Sequence, residues 1–374
     1  MKKLKVMTLV GTRPEIIKLS RVIAELDKHT DQVLVHSGQN YDYELNEVFF
    51  NDLQIRKPDY FLAAAGDSAC ETIANVIVKT EQVLLKEDPD AFLIYGDTNS
   101  CLGAIAAKRH QIPVFHMEAG NRCFDERVPE EINRRILDHI SDINLPLTQH
   151  GRDYLVREGI QPETIIKTGS CLQEVLEYYH GGIEASRILT KLQLEKKNYF
   201  VVSLHREENV DVEKNLSEAI RSIDTLATEF DKEVIVSLHP RTAKRVDALG
   251  LTFINQNIKL IKPLGFFDYI KLQKNALCVI SDSGTITEEA ALLNFTAVTV
   301  RQSHERPEGM DAGTLIMVGY DADRLLSAVT VSVNRTSSAS SISDYQGGAV
   351  SRKVLNIILS YTDYVRRTVW RRDV

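Results

Sequence analysis

Short apolar runs rich in β-branched residues alternate with amphipathic helical stretches along nearly the whole chain, and this alternation leaves few architectures open. The expected strands of a first series are Lys5–Val10, Gln32–His36, Ala91–Tyr95, Val114–Met117, Ile143–Leu147 and Ile165–Thr168. A second series runs Tyr199–Leu204, Glu233–Leu238, Ile258–Ile261, Leu277–Ser281, Ala297–Val300 and Leu315–Val318. Runs that are apolar on both faces read as strands of parallel sheets covered by helices on both sides. The two series predict an α/β chain with two doubly wound halves, and 374 residues suffice for both. The seam falls near Ser170–Lys197, giving expected domains 1–170 and 171–354, with a helix at about 355–374 packing back on the first. The Ser-rich segment Thr336–Ser343 reads as a surface loop. Open α/β sheets bind ligands beyond the carboxyl ends of their strands, so two halves predict an active site in a cleft between them.

Composition narrows the function classes. A net charge of −7 argues against a nucleic-acid or anionic-membrane surface. No apolar run approaches the ~18 residues of a membrane span. The five cysteines are scattered without C-x-x-C spacing, as buried thiols of a reducing compartment would be. With no leader pattern before the first strand, the expected location is cytoplasmic.

Every chemistry-bearing motif falls at a strand end. Lys5–Val10 breaks into Gly11-Thr12-Arg13-Pro14-Glu15 and a helix carrying Lys18. This is a strand–turn–helix anion site with Arg13 at the helix N-terminus. It lacks the G-x-G-x-x-G spacing of a dinucleotide fold, which favours a nucleotide-linked substrate over NAD. Gly96-Asp97-Thr98-Asn99 puts Asp97 at a strand tip, with a plain helix cap as the competing reading. His116-Met117-Glu118 places His116 and Glu118 on one side of the next tip. The P-C-x-x-C that a zinc deaminase needs is absent. Glu130 and Glu131 open a helix that carries Arg134; they serve either chemistry or the helix macrodipole.

In the second series, His205 and Arg206 end the first strand and suit a diphosphate. His239 ends the next. Ser281-Asp282-Ser283-Gly284 then leads into a helix whose amides can take phosphate oxygens at Ser283 and Gly284, with Glu289 placed to accept from ribose hydroxyls. Arg306 lies in a polar loop on the same rim, and Phe266, Phe267 and Tyr269 offer either a face for a base or plain core.

Taken in order, V-G-T-R-P-E-I-I-K, Y-G-D-T-N-S, H-M-E-A-G-N-R, P-E-E-I-N-R, S-L-H-R-E-E-N, S-D-S-G-T-I-T-E-E-A and E-R-P-E-G-M-D-A-G-T resemble the non-hydrolysing UDP-N-acetylglucosamine 2-epimerase family from Gly11 to about Gly319. The resemblance implies a GT-B fold, two Rossmann-like domains facing across a cleft, and a homodimer. It implies a UDP-sugar substrate and neither a cofactor nor a metal. Gln39–Tyr43, Asn121–Asp125, Arg306–Asp311 and Tyr364–Trp370 resemble the capsule and O-antigen branch that completes UDP-N-acetyl-L-fucosamine from UDP-2-acetamido-2,6-dideoxy-L-talose. UDP-GlcNAc to UDP-ManNAc is the alternative reaction, and a GT-B glycosyltransferase a more distant one. The chain departs from the family at its UDP-GlcNAc activator site, where the segment reads Gln39-Asn40-Tyr41 and the stretch Cys70–Lys79 has no arginine.

The implied chemistry has a physical logic. A sugar C2–H has no adjacent carbonyl, so it becomes acidic only as the C1–O bond to UDP breaks and C1 gains oxocarbenium character. Elimination then gives a 2-acetamidoglycal, and re-addition of UDP with protonation of the other face inverts C2. By resemblance Asp97, Glu118, Glu130 and His205 are catalytic. Arg13, Lys18, His116, Arg134, Arg206, His239, Ser283, Gly284, Glu289 and Arg306 bind substrate. Such general acids and bases contribute ~10²–10⁴-fold each.

Overall fold

The computed structural model describes residues 3–38, 50, 52–238, 240–335 and 341–372. His239, the Gln39–Tyr43 segment and part of the Ser-rich loop lie outside the described residues. The chain divides into two compact units, Met1–Tyr178 with Asp344–Val374, and Tyr179–Ser343.

The first unit is built on β1 (Lys5–Val10), β2 (Asp31–His36), β3 (Tyr60–Phe61), β4 (Ala91–Tyr95), β5 (Val114–Met117) and β6 (Ile143–Leu145). All pair in parallel in the order β3-β2-β1-β4-β5-β6. The order reverses between β1 and β4, which is where an open α/β sheet exposes its binding crevice. Met7, Leu9, Phe92, Ile94 and Val114 form the centre of its core, with helix Ala69–Glu87 covering them through Val76, Val83 and Leu84.

The second unit repeats the plan. Its strands are β7 (Tyr199–Leu204), β8 (Glu233–Leu238), β9 (Ile258–Ile261), β10 (Cys278–Ser281), β11 (Ala297–Val300) and β12 (Ile316–Val318), ordered β12-β11-β10-β7-β8-β9. First and fourth strands are again neighbours, with Ser203 opposite Ser281. Phe200, Val202, Val236, Val298 and Val329 fill one face of that sheet.

Two readings change. Ile165–Thr168 is not a strand: its one bridge joins Ile165 to Asn144. It runs beside β6, with the Ile166 and Thr168 amides donating to Asn144 and Pro146. Pro146 has no N–H to return, so the ladder lapses there. The short β3 was unexpected because two residues carry no periodicity.

The domain boundaries also move. Helix Cys171–Tyr178 packs on helix Arg13–His29 and so belongs to the first unit. The returning helix begins at Val350 rather than about 355 and buries Val350, Val354, Leu355, Ile358 and Val365. Arg352 reaches Glu25 at 3.1 Å and Arg366 reaches Asp90 at 2.8 Å. The first pair is exposed and the second part-buried, and exposed pairs are worth at most about 1 kcal/mol. Each buried aliphatic side chain contributes roughly 1.5–3 kcal/mol. The apolar face therefore holds this helix in place.

Candidate active site

In the first unit the tips of β1, β4 and β5 gather a set of paired charges. Glu118, the first residue after β5, has φ +64°, a backbone region costly for a residue with a Cβ and typical of functional turns. Its Oε2 accepts from the buried Lys18 Nζ at 2.9 Å, and its Oε1 from Asn121 Nδ2 at 3.4 Å. The Lys18 ammonium also lies 5.2 Å from the centroid of Tyr95 at the tip of β4. Two residues beyond Tyr95, the Asp97 Oδ2 accepts from Arg134 Nε at 3.0 Å and pairs with Nη2 at 2.8 Å. Arg134 in turn donates from Nη1 to Glu131 at 3.0 Å.

Glu131 is fully buried and also receives the Cys123 and Phe124 amides, each at 3.1 Å. Burial alone would raise its carboxyl, but those amides and the Arg134 charge hold it below the usual range. Helix Pro129–Ile140 presents half-buried Glu130 one turn ahead of Arg134.

Beneath these tips lies a buried network that spacing did not reveal. His116 sets Nε2 at 2.8 Å from the Gly96 carbonyl, and Nδ1 at 3.0 Å from Asp138 Oδ1, an ion-pair contact outside hydrogen-bond angles. Asp138 accepts the Gly120 amide at 3.2 Å and Arg122 Nη1 at 2.6 Å. Arg122 also donates from Nε to Glu158 at 2.8 Å. Desolvation raises Asp138, yet His116 and Arg122 outweigh it and leave the carboxyl below its ordinary value. A Cβ on Gly120 would sit 2.3 Å from the Gly151 carbonyl, so only glycine lets the loop after Glu118 pass there. His116, expected to touch substrate, thus has both ring nitrogens on protein groups and anchors the Gly96–Asp97 turn.

The β1 turn corrects another expectation. Its amides do not await a phosphate: Glu15 Oε2 accepts Gly11 N at 2.6 Å and Thr12 N at 3.4 Å, while Oε1 accepts Thr98 Oγ1 at 2.6 Å. Burial drives this carboxyl up to about 7, even against those donors. The anion at this turn is the chain's own, and Arg13 beside it is half-buried.

In the second unit, His205 and Arg206 leave β7 over a fully buried carboxylate, Asp282. Asp282 accepts His205 N at 3.0 Å, Arg206 N at 2.9 Å and Asn209 Nδ2 at 2.8 Å, and faces His205 Nδ1 at 3.0 Å. Arg206 reaches Glu305 at 3.3 Å, and Glu305 holds Arg301 at 2.7 Å. Ser283, Gly284, Arg301, His304 and Arg306 line a small open pocket beside them. A Cβ on Gly284 would fall 2.1 Å from Glu305 Oε1, so any larger residue here would have to displace that carboxylate.

Arg306 is buried against Glu288 at 3.4 Å. The Ser283 amide turns inward to Ser281 Oγ at 3.1 Å. Glu289 accepts Thr285 Oγ1 at 2.8 Å and Gln273 Nε2 at 2.9 Å. Phe266 is buried, edge-on to Tyr179, and Tyr269 is partly buried against the core, which fits core packing.

Comparison with known proteins decides the family. The family model described as UDP-N-acetylglucosamine 2-epimerase matches residues 24–359. A UDP-N-acetylglucosamine 2-epimerase from Methanococcus maripaludis is 38% identical over 87% of this chain and 90% of its own length. The chain belongs to the UDP-N-acetylglucosamine 2-epimerase family. The structure of UDP-N-acetylglucosamine 2-epimerase from Rickettsia bellii superposes with a TM-score of 0.93 at 53% identity, covering 99% of this chain and 100% of that one. That of the Methanocaldococcus jannaschii enzyme in complex with UDP-GlcNAc and UDP gives 0.91 at 34% identity, with 96% and 100% covered. A relative from Pseudomonas aeruginosa, UDP-2,3-diacetamido-2,3-dideoxy-D-glucuronate 2-epimerase, is 33% identical over 94% of this chain and 98% of its own.

This epimerase therefore has a GT-B-type fold of two Rossmann-like units. It is a non-hydrolysing isomerase acting at C2 of a UDP-2-acetamido sugar by elimination and re-addition of UDP. Among the described residues no helix is long and apolar enough to cross a membrane. Three charged residues of the epimerase escaped the sequence reading of its site: Glu15, Asp138 and Asp282. Two of them lay inside quoted motifs, but nothing in a motif tells a buried acid from a solvated one.

Proposed function

We propose that the substrate is UDP-GlcNAc and the product UDP-ManNAc. Most of the named relatives carry that 2-epimerase name, and the L-talose reading drawn from Asn121–Asp125 and the C-terminal tail gives way to it. The observation that carries the mechanism is the pair of carboxylates at adjacent strand tips, each held by a buried cation: Asp97 by Arg134 and Glu118 by Lys18.

In this reading Arg13, His205, Arg206 and Arg306 take the charge that develops on departing UDP. A single such donor is worth roughly 3–4 kcal/mol in other enzymes. Asp97, Glu118 and Glu130 move the C2 proton, one face at a time, while Glu289 receives ribose hydroxyls. Because both carboxylates are oriented before substrate arrives, little reorganisation remains for the proton-transfer step.

Incubation with UDP-GlcNAc in deuterated water, followed by NMR at C2, tests the reading. Deuterium at C2 in both UDP-GlcNAc and UDP-ManNAc is expected. Faster exchange with UDP-2-acetamido-2,6-dideoxy-L-talose would move the substrate to the fucosamine branch. No exchange with either sugar nucleotide would sink the assignment.

A further inference from the structure

We propose that Asp282 is a positioning residue for His205: it fixes the imidazole with a proton on Nδ1, so that Nε2 is the nitrogen presented to the UDP-sugar. The proposal rests on the reading above that His205 meets the departing nucleotide.

The geometry is that of a carboxylate under a histidine. Asp282 follows β10 directly, and β10 lies beside β7 with Ser281 opposite Ser203, so the acid arrives beneath the β7 tip. Its side chain is fully buried, whereas that of His205 is 38% exposed. Every described hydrogen bond to the carboxylate comes from a donor, the His205 and Arg206 amides and Asn209 Nδ2, and His205 Nδ1 lies against it at an ion-pair distance of 3.0 Å. An imidazole nitrogen facing a carboxylate must carry a proton, and one ring nitrogen committed in this way sets the identity of the other. Burial raises the Asp282 carboxyl, but the His205 charge and the backbone amides outweigh it and keep it below its usual value, in agreement with an anion at that place.

A backbone cap is the competing role, and it needs only an acceptor oxygen. Asn at 282 keeps that oxygen for the His205 and Arg206 amides but turns an NH₂ toward Nδ1, which must then be bare. The Asp282→Asn change therefore separates ring orientation from turn capping.

The experiment uses full-length enzyme with ¹⁵N-labelled histidine and long-range ¹H–¹⁵N correlation at pH ~8.5, above the ordinary histidine value of ~6.5. A His205→Gln variant assigns the signal. Expected are a protonated Nδ1 in the wild type, and in Asp282→Asn a proton transferred to Nε2 with a normal fold by circular dichroism. Turnover should fall by about 10²–10⁴-fold, as when a buried aspartate under a catalytic histidine is changed to asparagine elsewhere, with KM within a few-fold. An unchanged tautomer, or a flipped tautomer with unchanged turnover, overturns the proposal. Should Asp282→Asn not fold, a bare Nδ1 in the wild type overturns it alone and a protonated one supports it. Because the tautomer is read without substrate, absence of C2 exchange in the wild type would defeat the functional reading while the spectrum still decides on Asp282.

Discussion

Both units place a buried carboxylate under the turn that leaves their first strand, but they draw it from different parts of the chain. In the first unit the Gly11 and Thr12 amides are received by Glu15, four residues from Gly11 and on the helix that the turn begins. In the second, the His205 and Arg206 amides are received by Asp282, 77 residues beyond His205 at the tip of the neighbouring fourth strand. The place in the first sheet that corresponds to Asp282 is the tip of β4, where Asp97 stands. With Glu15 capping locally, Asp97 is not needed as a cap; its side chain stays 23% exposed and is aimed by Arg134. The same topological position thus holds a partly exposed acid in one unit and a buried scaffold in the other, and the origin of the cap distinguishes them.

The most severe test of that contrast is Asp97→Asn. Turnover should fall by ~10²–10⁴-fold while UDP affinity, measured by calorimetry, stays within a few-fold. A collapse of UDP binding would place Asp97 with the ligand-holding groups and erase the distinction from Asp282. Arg134→Met comes next, because it leaves fully buried Glu131 short of its charged partner. Removing one member of a buried pair costs ~3–5 kcal/mol. The Cys123 and Phe124 amides and the Arg135 contact remain, so urea unfolding should report a loss near the lower figure. Adding Glu131→Gln to Arg134→Met should recover part of it.

Much of the fold was legible because β1, β4, β7 and β10 are apolar on both faces, a pattern few structures other than a covered parallel sheet satisfy. The run at Ile165 was misread and the one at Tyr60 missed, for opposite reasons. The first has strand composition but meets Pro146, and the second pairs through only two residues. At the site, residues that end strands could be named as candidates because the fold class says where ligands bind. Glu15, Asp138 and Asp282 were not, since their function is set by burial and by partners such as His205, Arg122 and Thr98 across the fold. His116 was placed at the correct tip but pointed the wrong way, because strand alternation gives a face and not the groups waiting on it.

Glu15 offers a pH test of the local cap. Its carboxyl moves from an ordinary 4.5 to about 7 through burial, so between those values the folded protein binds more protons than the unfolded chain. The stability this group contributes is then fully present below pH 4.5 and lost as pH rises toward 7, an effect of up to about 3 kcal/mol. Relative to Glu15→Gln, which has no such proton, wild-type unfolding free energy should decline by that order between pH 4.5 and 7 and then level off. A pH-independent difference would mean that the donors from Gly11, Thr12 and Thr98 already compensate the burial, as the donors to Asp282 do.

The mildest change, Thr98→Val, sharpens the same point because Thr98 touches Glu15 and adjoins Asp97. It removes the 2.6 Å bond to Glu15 Oε1 without changing shape, at a cost of about 1–2 kcal/mol. That bond favours the ionised carboxylate, so its loss should carry the Glu15 transition to higher pH. UDP affinity should not change, since Thr98 contributes no cation. A turnover a few-fold lower would show that the local cap also holds Asp97 in register. Unaltered turnover would assign that duty to Arg134 alone, and the first unit's cap would then be as purely architectural as the backbone share of the Asp282 contacts.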